Sequence, residues 1–196
     1  LFCFVQIGSS DEYGNQPAPQ VESMREDPIS PYSATRVAAN HLLKMLHIVE
    51  NFPVVIIRLF LVYGPYQDHK RFIPQIVKGC LNDTKFPTSE GKQLRDFTYV
   101  GDTVDAIFSA MKNQNAIGQI FNLGTGKPIE IRYMVNKICE LVGKGTPLFG
   151  HYPYRVGESM ALYPDVTKIK KTLDWDPKMT LEDGLIETIK YYRNVK

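Results

Sequence analysis

Residues 54–61, Val-Val-Ile-Ile-Arg-Leu-Phe-Leu, decide the fold class of this chain. Every side chain in this run except that of Arg58 is apolar. Such a run is typical of a strand inside a parallel sheet that is covered on both faces. A second apolar run at residues 1–8 predicts a buried strand before it, and residues 119–123 predict a short strand after it. The sequence thus predicts at least three strands that alternate with other elements.

Helical patterns separate and follow these strands. Ser30 and Pro31 are suited to cap and begin a helix, which runs to about Glu50 with apolar side chains along one face. Further helices are predicted at 71–81, 103–111 (capped by Asp102), 130–143, 165–173 and 181–193 (capped by Thr180). Residues 9–29 and 86–92 are predicted as loops. Strands that alternate with helices predict an α/β fold with a parallel sheet.

Composition excludes several classes of function. The 196 residues carry 23 Lys plus Arg and 21 Asp plus Glu, a net charge of +2 that does not favour nucleic-acid binding. No apolar run approaches the roughly 20 residues of a membrane span. The three cysteines form no CxxC pair and the four histidines no HxH or HxxxH pair, so we expect no metal site and a reducing, cytoplasmic location.

Three features could carry chemistry. Ser9, Ser10 and Asp11 follow the first strand directly, and ligands bind beyond the carboxyl ends of parallel strands. Tyr32 and Arg36 lie one helical turn apart, and a cation beside a phenol favours the phenolate, which could then exchange a proton with a sugar oxygen. Arginines bind phosphate oxygens bidentately, so a pair of them would suit a diphosphate.

Each feature alone is also compatible with a structural role. Ser9 to Asp11 could be a turn that ends a strand, and Tyr32 with Arg36 could be a surface contact. Arg95 and Arg155, the two arginines in question, could each form a surface ion pair. The order of the motifs along the chain distinguishes the functional interpretation from the structural one.

Six motifs in order resemble those of the extended short-chain dehydrogenase/reductases, the NAD-dependent epimerase/dehydratase family of nucleotide-sugar enzymes. They are GSSDEYG (8–14), PYSATR (31–36), RLFLVYGP (58–65), RDFTYVGD (95–102), FNLGTGKPIEIR (121–132) and LDWDPKMTLEDGL (173–185). PYSATR resembles the family's PYxxxK, RLFLVYGP its RxxNxYGP and RDFTYVGD its RDFxxVxD. The resemblance covers nearly the whole chain.

The resemblance implies a role for individual residues. Ser9 matches the hydroxyl that bonds the reacting oxygen, Tyr32 the catalytic tyrosine, and Arg36 the lysine that holds the nicotinamide ribose. It implies that NAD or NADP is bound by these residues and by Leu59, Phe60 and Leu61. It also implies that a nucleotide-diphosphate sugar is bound by Ser10, Phe86, Arg95 and Arg155, and that Asp11 is a catalytic base. Hydride would leave the sugar as Tyr32 takes a proton, and epimerisation, dehydration or reduction would follow.

Departures from the family pattern bear on this assignment. Arg36 replaces the usual lysine, and Leu61 the usual asparagine. Ser10 and Asp11 stand where thymidine-sugar 4,6-dehydratases carry Asp and Glu, whereas mannose-type dehydratases carry Ser at the first of these places. GSSDEYG looks most similar to the 4-keto-6-deoxy-sugar reductases. The sequence contains no GxxGxxG, the motif that receives the NAD pyrophosphate, so we expect a chain that starts at the family's fifth strand.

We therefore predict the C-terminal part of a Rossmann-type parallel sheet plus a smaller substrate-binding lobe. Residues 1–66 and 97–125 would form the partial NAD(P)-binding domain, and residues 67–96 and 126–196 the nucleotide-sugar lobe. The resemblance also implies a homodimer formed through helix 31–50. A non-catalytic fragment that binds nucleotide sugars is the alternative to an enzyme.

Overall fold

The computed structural model describes residues 2–155 and 157–195. Its strands are β1 (Phe4–Ser9), β2 (Val54–Leu59), β3 (Leu61–Tyr63), β4 (Lys85–Pro87), β5 (Leu94–Arg95), β6 (Phe97–Tyr99), β7 (Ile120–Leu123), β8 (Ile129–Glu130), β9 (Thr146–Leu148) and β10 (Ala161–Leu162). Its α-helices are α1 (Pro31–Glu50), α2 (Phe72–Leu81), α3 (Val100–Lys112), α4 (Ile131–Val142), α5 (Thr167–Leu173) and α6 (Leu181–Asn194). Short 3₁₀ helices cover Ser10–Tyr13 and Gln114–Ala116.

The central sheet has the order β1-β2-β7, and both pairs of neighbours are parallel. Ser9 lies opposite Leu59, and Arg58 lies opposite Asn122, so the strands end at one common edge. The five residues 54–58 of β2 are buried, as expected for a central strand covered by helices. The predicted α/β fold with a parallel sheet is confirmed.

The two larger apolar cores are formed by different helices and strands. The first packs the central sheet against α3 and α5, and its buried members include Val55, Ile57, Ala106, Phe121 and Ile169. The second is formed mainly by α2, α4 and α6, with Ile73, Val77, Met134, Ile138 and Leu185 among its buried members. Short strand pairs connect these regions: β3 with β6, β4 with β9, and β5 with both β8 and β10.

Helix α1 begins as predicted. The Ser30 side chain accepts a hydrogen bond from the backbone N–H of Ser33, and Pro31 occupies the first helical turn. Of the apolar face that the sequence predicted, Ala38, Leu42, Met45 and Val49 are exposed and Leu46 is half-buried. The neighbouring Ile48 is 69% exposed.

The apolar run at residues 54–61 is not one strand, which corrects the prediction. At Phe60 the chain stops pairing with β7 and begins pairing with β6 in a separate pair of strands. The Phe60 N–H donates to the carbonyl of Leu123, and the next N–H, that of Leu61, donates to the carbonyl of Asp96. The break depends on which strand lies alongside, so a local apolar pattern does not reveal it.

Other boundaries also differ from the predictions. The first strand starts at Phe4, which is 38% exposed because β1 lies at an edge of the sheet, and residue 1 lies outside the described residues. A 3₁₀ helix interrupts the predicted loop 9–29, and β4 overlaps the predicted loop 86–92 because it pairs with β9. Helix α3 starts at Val100, so Asp102 does not cap it; the Asp102 carboxylate instead accepts the N–H groups of Lys178 and Met179 at 3.1 and 3.0 Å.

Candidate functional site

The carboxyl end of β1 presents Ser9, Ser10 and Asp11. Ser9 is buried, and its Oγ accepts a hydrogen bond from the Asp11 N–H at 3.1 Å. This bond uses the hydroxyl as an acceptor and leaves its proton available for donation. Ser10 is also buried, whereas Asp11 is exposed as a residue. The turn thus carries the hydroxyls of Ser9 and Ser10 and the accessible carboxylate of Asp11 beyond the end of the sheet.

A buried ionic network holds this turn in place. Glu12 is fully buried; its Oε1 accepts the Ser9 N–H at 2.8 Å, and its Oε2 accepts the Arg58 Nε–H at 2.7 Å. Asn40 of α1 donates to the same carboxylate at 2.8 Å, and Glu26 forms an ion pair with Arg58 from the loop before α1. The network joins β1, β2 and α1 around the backbone of Ser9.

Gly8 leaves the room that this network needs. A Cβ at Gly8 would lie 2.5 Å from Glu12 Oε1 and 3.1 Å from the Asn40 amide nitrogen. Those distances are too short for any larger residue, so a side chain here would push Glu12 away from the Ser9 N–H. The glycine before Ser9 is therefore a requirement of the close packing around the carboxylate.

Tyr32 and Arg36 lie together near the start of α1. The Arg36 guanidinium carbon is 5.2 Å from the centre of the Tyr32 ring, within the range of a cation–π contact. Arg36 also donates from one terminal nitrogen to the carbonyl of Ile7 on β1 at 3.0 Å. Half of the Tyr32 surface is exposed. Among the described residues, no hydrogen bond joins the Tyr32 hydroxyl to Ser9, so what links the two is Arg36 and the strand.

The segment Leu59–Leu61 continues from the end of β2, next to Ser9. Leu59 lies opposite Ser9 in the sheet, and Leu61 is 37% exposed. The Phe60 side chain is buried against Tyr13 and Leu162. Of these three residues, Phe60 could therefore meet a cofactor only through its backbone.

Arg95 lies close to Asp11 and is already paired with a carboxylate. Its guanidinium donates to Glu158 Oε1 at 2.6 Å and to the Ser159 carbonyl at 2.7 Å. Burial is the main cause that lowers the pKa of Arg95, and Glu158 and Asp11 oppose that effect. Arg155 is exposed and begins the turn that carries Glu158, whose N–H donates to the Arg155 carbonyl.

Burial and neighbouring charges both act on the pKa of the Asp11 carboxyl group. Although the residue is exposed as a whole, partial burial of its carboxyl group raises its pKa, and the positive charges of Arg95 and Arg71 act in the opposite direction. A carboxyl group with a raised pKa retains a proton closer to neutral pH, which suits proton transfer.

Phe86 and Asp96 support neighbouring parts of the same region. Phe86 in β4 is half-buried, and its ring lies so close to Gly79 that a Cβ there would be 2.7 Å from it.

Asp96 is fully buried and accepts hydrogen bonds from the Thr125 N–H and hydroxyl and from the Lys127 N–H at 2.8 to 3.1 Å. Asp96 thereby holds residues 124–127, which follow β7 directly.

Sequence reasoning missed the network around Glu12. Arg58 stands in the middle of an apolar strand, and a buried arginine needs a carboxylate partner. That charge was the available signal. It could not reveal that Glu12, Glu26 and Asn40 would meet Arg58, because those residues come from three other segments.

The described residues contain neither a metal-binding cluster nor a helix that could span a membrane. Within residues 2–155 and 157–195, His, Cys, Asp and Glu side chains form no group of three or more that could hold a metal ion. The helices of the same residues are too short or too polar to span a bilayer.

A cavity of about 1010 Å³ lies elsewhere, between α2, α6 and the loop after β3, and contains none of the predicted site residues.

Comparison with known proteins bears on the meaning of this arrangement. Residues 2–188 match the family model described as GDP-mannose 4,6 dehydratase. The chain belongs to this family, one of the NAD-dependent epimerases and dehydratases. The resemblance deduced from the six motifs is therefore confirmed.

Curated relatives align with nearly the whole of this chain. An uncharacterized UDP-glucose epimerase of Bacillus subtilis (strain 168) is 30% identical over 96% of this chain and 60% of its own. The dTDP-glucose 4,6-dehydratase of Haemophilus influenzae is 30% identical over 97% of this chain and 61% of its own. The chain thus spans about three fifths of the curated relatives it matches.

A solved relative carries the cofactor and a nucleotide sugar. The UDP-glucuronic acid 4-epimerase of Bacillus cereus, in complex with UDP-glucuronic acid and NAD, superposes with a TM-score of 0.91 at 29% identity, over 99% of this chain and 62% of its own. The dTDP-glucose 4,6-dehydratase of Bacillus anthracis, in complex with NAD, is also similar, with a TM-score of 0.88. NAD, one of the two cofactors that the resemblance implies, is bound in these neighbours.

Proposed function

We propose that this chain carries the proton-transfer and nucleotide-sugar site of an NAD(P)-dependent nucleotide-sugar epimerase, dehydratase or reductase. One observation carries the proposal: Arg36 stands beside the Tyr32 ring and is bonded to the strand that ends in Ser9. A phenol, a cation and a hydroxyl donor are thereby grouped at the carboxyl end of a parallel sheet, where ligands bind in such folds.

The residues present are suited to the nicotinamide end of the cofactor. NAD or NADP, when bound, accepts a hydride from the sugar and can return it. Tyr32 and Arg36 would hold its nicotinamide ribose, and residues 59–61 would border it. These assignments rest on an exposed Tyr32 ring, an arginine with further free donors, and a partly exposed Leu61.

Tyr32 would move the proton that accompanies hydride transfer. Half of its surface is exposed, and the Arg36 guanidinium places a positive charge beside its ring, which would favour the phenolate. Ser9 would donate its hydroxyl proton to the reacting sugar oxygen. The buried Glu12 network would keep Ser9 in place by holding its backbone N–H.

Asp11 and Ser10 would act on the sugar after its oxidation. Asp11 is accessible and its pKa is raised by partial burial, so it could take a proton from carbon and later return it. Ser10 would contact the sugar through its hydroxyl. The choice among epimerisation, dehydration and reduction would depend on which sugar carbon these two residues face.

The nucleotide diphosphate would be held by arginines. Arg155 is exposed, and its guanidinium fork suits phosphate oxygens. Arg95 already pairs with Glu158, so a phosphate would either join this pair or displace the carboxylate. Phe86 would border the nucleotide from β4.

The proposal also covers domain organisation, oligomeric state and location. Residues 1–66 and 97–125 would form the cofactor domain and residues 67–96 and 126–196 the sugar lobe. The packing crosses these bounds at α5, which packs on the central sheet, and at Tyr63 and Phe97, which pack with α2, α4 and α6. The exposed apolar stripe of α1 would form a homodimer interface. A cytoplasmic location is proposed as well, on the support of three free cysteines.

A screen of substrates tests the proposed function. The protein is incubated with NAD or NADP and, in turn, with UDP-, dTDP-, GDP- and CDP-hexoses, and products are separated by chromatography and identified by NMR. We expect one nucleotide class to be converted to an epimer, a keto sugar or a deoxy sugar. If calorimetry detects nucleotide-sugar binding and no substrate is converted, the chain is a binding module and the enzymatic proposal fails.

A further inference from the structure

The cysteines of two helices lie almost within bonding distance of each other. Cys80 in α2 and Cys139 in α4 have their Sγ atoms 3.3 Å apart, and both thiols are free. A disulfide needs a separation of about 2.05 Å, so the sulfurs would have to approach by about 1.3 Å. We propose that Cys80 and Cys139 are a redox modification site, at which low-molecular-weight disulfides convert the thiol pair into a reversible α2–α4 disulfide.

The chain around the pair holds both thiols in place. Helix α2 leads into β4 and helix α4 into β9, and these strands pair in parallel with Lys85 opposite Thr146. The Gly145 N–H donates to Asp83 Oδ1 at 3.1 Å. A Cβ at Gly145 would lie 2.7 Å from Cys80 Cα, so the turn after α4 passes directly over Cys80. The two helix ends are therefore fixed relative to each other before any bond forms.

The different burial of the two thiols indicates which of them reacts first. Cys80 is fully buried, whereas Cys139 is half-buried, so Cys139 is the thiol that a small-molecule disulfide would meet first. The Cys139 thiolate would attack a small-molecule disulfide RSSR, forming a Cys139–SR mixed disulfide and releasing RS⁻. Cys80 would then give its proton to the released RS⁻ and attack the Cys139 sulfur, which expels a second RS⁻; this takes up the proton that Cys139 gave to solvent. The two cysteines lose two electrons in total, and RSSR gains them as two equivalents of thiol.

The environment of Cys80 favours the persistence of the bond once it has formed. Burial, together with the neighbouring Cys139 thiol, raises the pKa of Cys80 to about 12. A thiol with a high pKa is a poor leaving group, so reduction that expels Cys80 is slow. Cys3 belongs to the other apolar core, against the central sheet, and serves as an internal reference.

Intact-mass analysis after oxidation tests the proposal. The protein is incubated with oxidised glutathione, denatured, alkylated with N-ethylmaleimide and digested without reduction. Before alkylation, the intact mass should be about 2 Da below that of the reduced protein. After alkylation and digestion, we expect a single alkylated cysteine at Cys3 and one cross-linked peptide pair containing Cys80 and Cys139. Oxidation is also expected to raise the melting temperature by about 5–15 °C, and dithiothreitol to reverse it.

Matched variants identify the pair. Cys3→Ser should form the same cross-link as the wild type, and Cys139→Ser should form none. Cys80→Ala provides a second variant that lacks the cross-link without placing a hydroxyl in the core. The proposal is overturned if the wild type carries only glutathione adducts, if Cys3 is part of the cross-link, or if all three cysteines remain alkylatable.

Discussion

Arg36 stands in the proposed site where the PYxxxK pattern that this chain resembles carries a lysine. Its guanidinium serves two partners, the Tyr32 ring and the Ile7 carbonyl. We expect Arg36→Lys to keep turnover within about tenfold of the wild type, because the charge remains near the phenol, and Arg36→Met to lower it by about 100-fold. Steady-state kinetics on the two variants distinguish charge from shape, and a methionine variant as active as the wild type would contradict the role of Arg36.

Glu26 gives the site a stability that depends on pH. Burial alone would raise its pKa, but a backbone hydrogen bond and the Arg58 guanidinium outweigh burial and hold the pKa below its ordinary value of 4.5. The folded protein therefore binds fewer protons at Glu26 than the unfolded chain does. The stabilisation is present above pH 4.5 and is lost as the pH falls through the lower pKa of the folded state.

The variant Glu26→Gln measures this contribution. Urea unfolding should give a lower free energy of unfolding than the wild type near pH 7, with the difference shrinking below pH 4.5. Glu50→Gln, at the exposed end of α1, is the control and should change the free energy little. A Glu26→Gln difference that stays constant down to pH 3 would show that Glu26 does not stabilise the fold as a carboxylate.

At the scale of elements, Arg58 holds β2 to its neighbours. Its side chain is fully buried between Glu12, Tyr13 and Glu26. Arg58→Leu would leave the buried Glu12 carboxylate without its cation, which costs about 3–5 kcal/mol. Chemical denaturation checks this value, with Lys170→Ala, which removes an exposed ion pair with Asp176, as a control expected to cost about 0–1 kcal/mol. A cost below 1 kcal/mol for Arg58→Leu would mean that the network is not needed for stability.

Helix α1 presents an apolar stripe that the described residues leave uncovered. Leu42, Met45, Ile48 and Val49 recur at helical spacing and remain 44% to 69% exposed. If the stripe forms the proposed dimer interface, Ile48→Glu should convert a dimer into a monomer in light scattering coupled to gel filtration. Ile186→Glu, at an exposed position of α6, is the control. A wild-type monomer, or an Ile48→Glu dimer, would contradict the interface.

Local signals predicted the elements whose ends depend on local chemistry. The Ser30 cap, the Pro31 start and the parallel strands could be deduced from neighbouring residues alone. The break at Phe60 and the pairing of β4 with β9 could not, because each depends on a strand distant in sequence. Asp102 shows the same limit, since the N–H groups that it accepts lie 76 and 77 residues further along the chain.

At the scale of the whole molecule, the ordered motifs predicted the family and the cofactor class, whereas no local pattern revealed the ionic network. Ser9, Tyr32 and Arg36 were chosen from their spacing and from the resemblance, and the structure brings Tyr32 and Arg36 together beside β1. Contacts such as Glu12 with Arg58, or Cys80 with Cys139, join residues 46 and 59 positions apart. Such contacts arise from packing, which only the folded chain reveals.

The most direct test of the account is a comparison of two tyrosine variants. Tyr32 and Tyr133 are similarly exposed, at 50% and 52%, but only Tyr32 lies beside Arg36. With the nucleotide sugar that the wild type converts, we predict that Tyr32→Phe lowers kcat by about 10²–10⁴ while nucleotide affinity is unchanged, and that Tyr133→Phe keeps the wild-type rate. A Tyr32→Phe variant that turns over as fast as Tyr133→Phe would contradict the assignment of proton transfer to Tyr32.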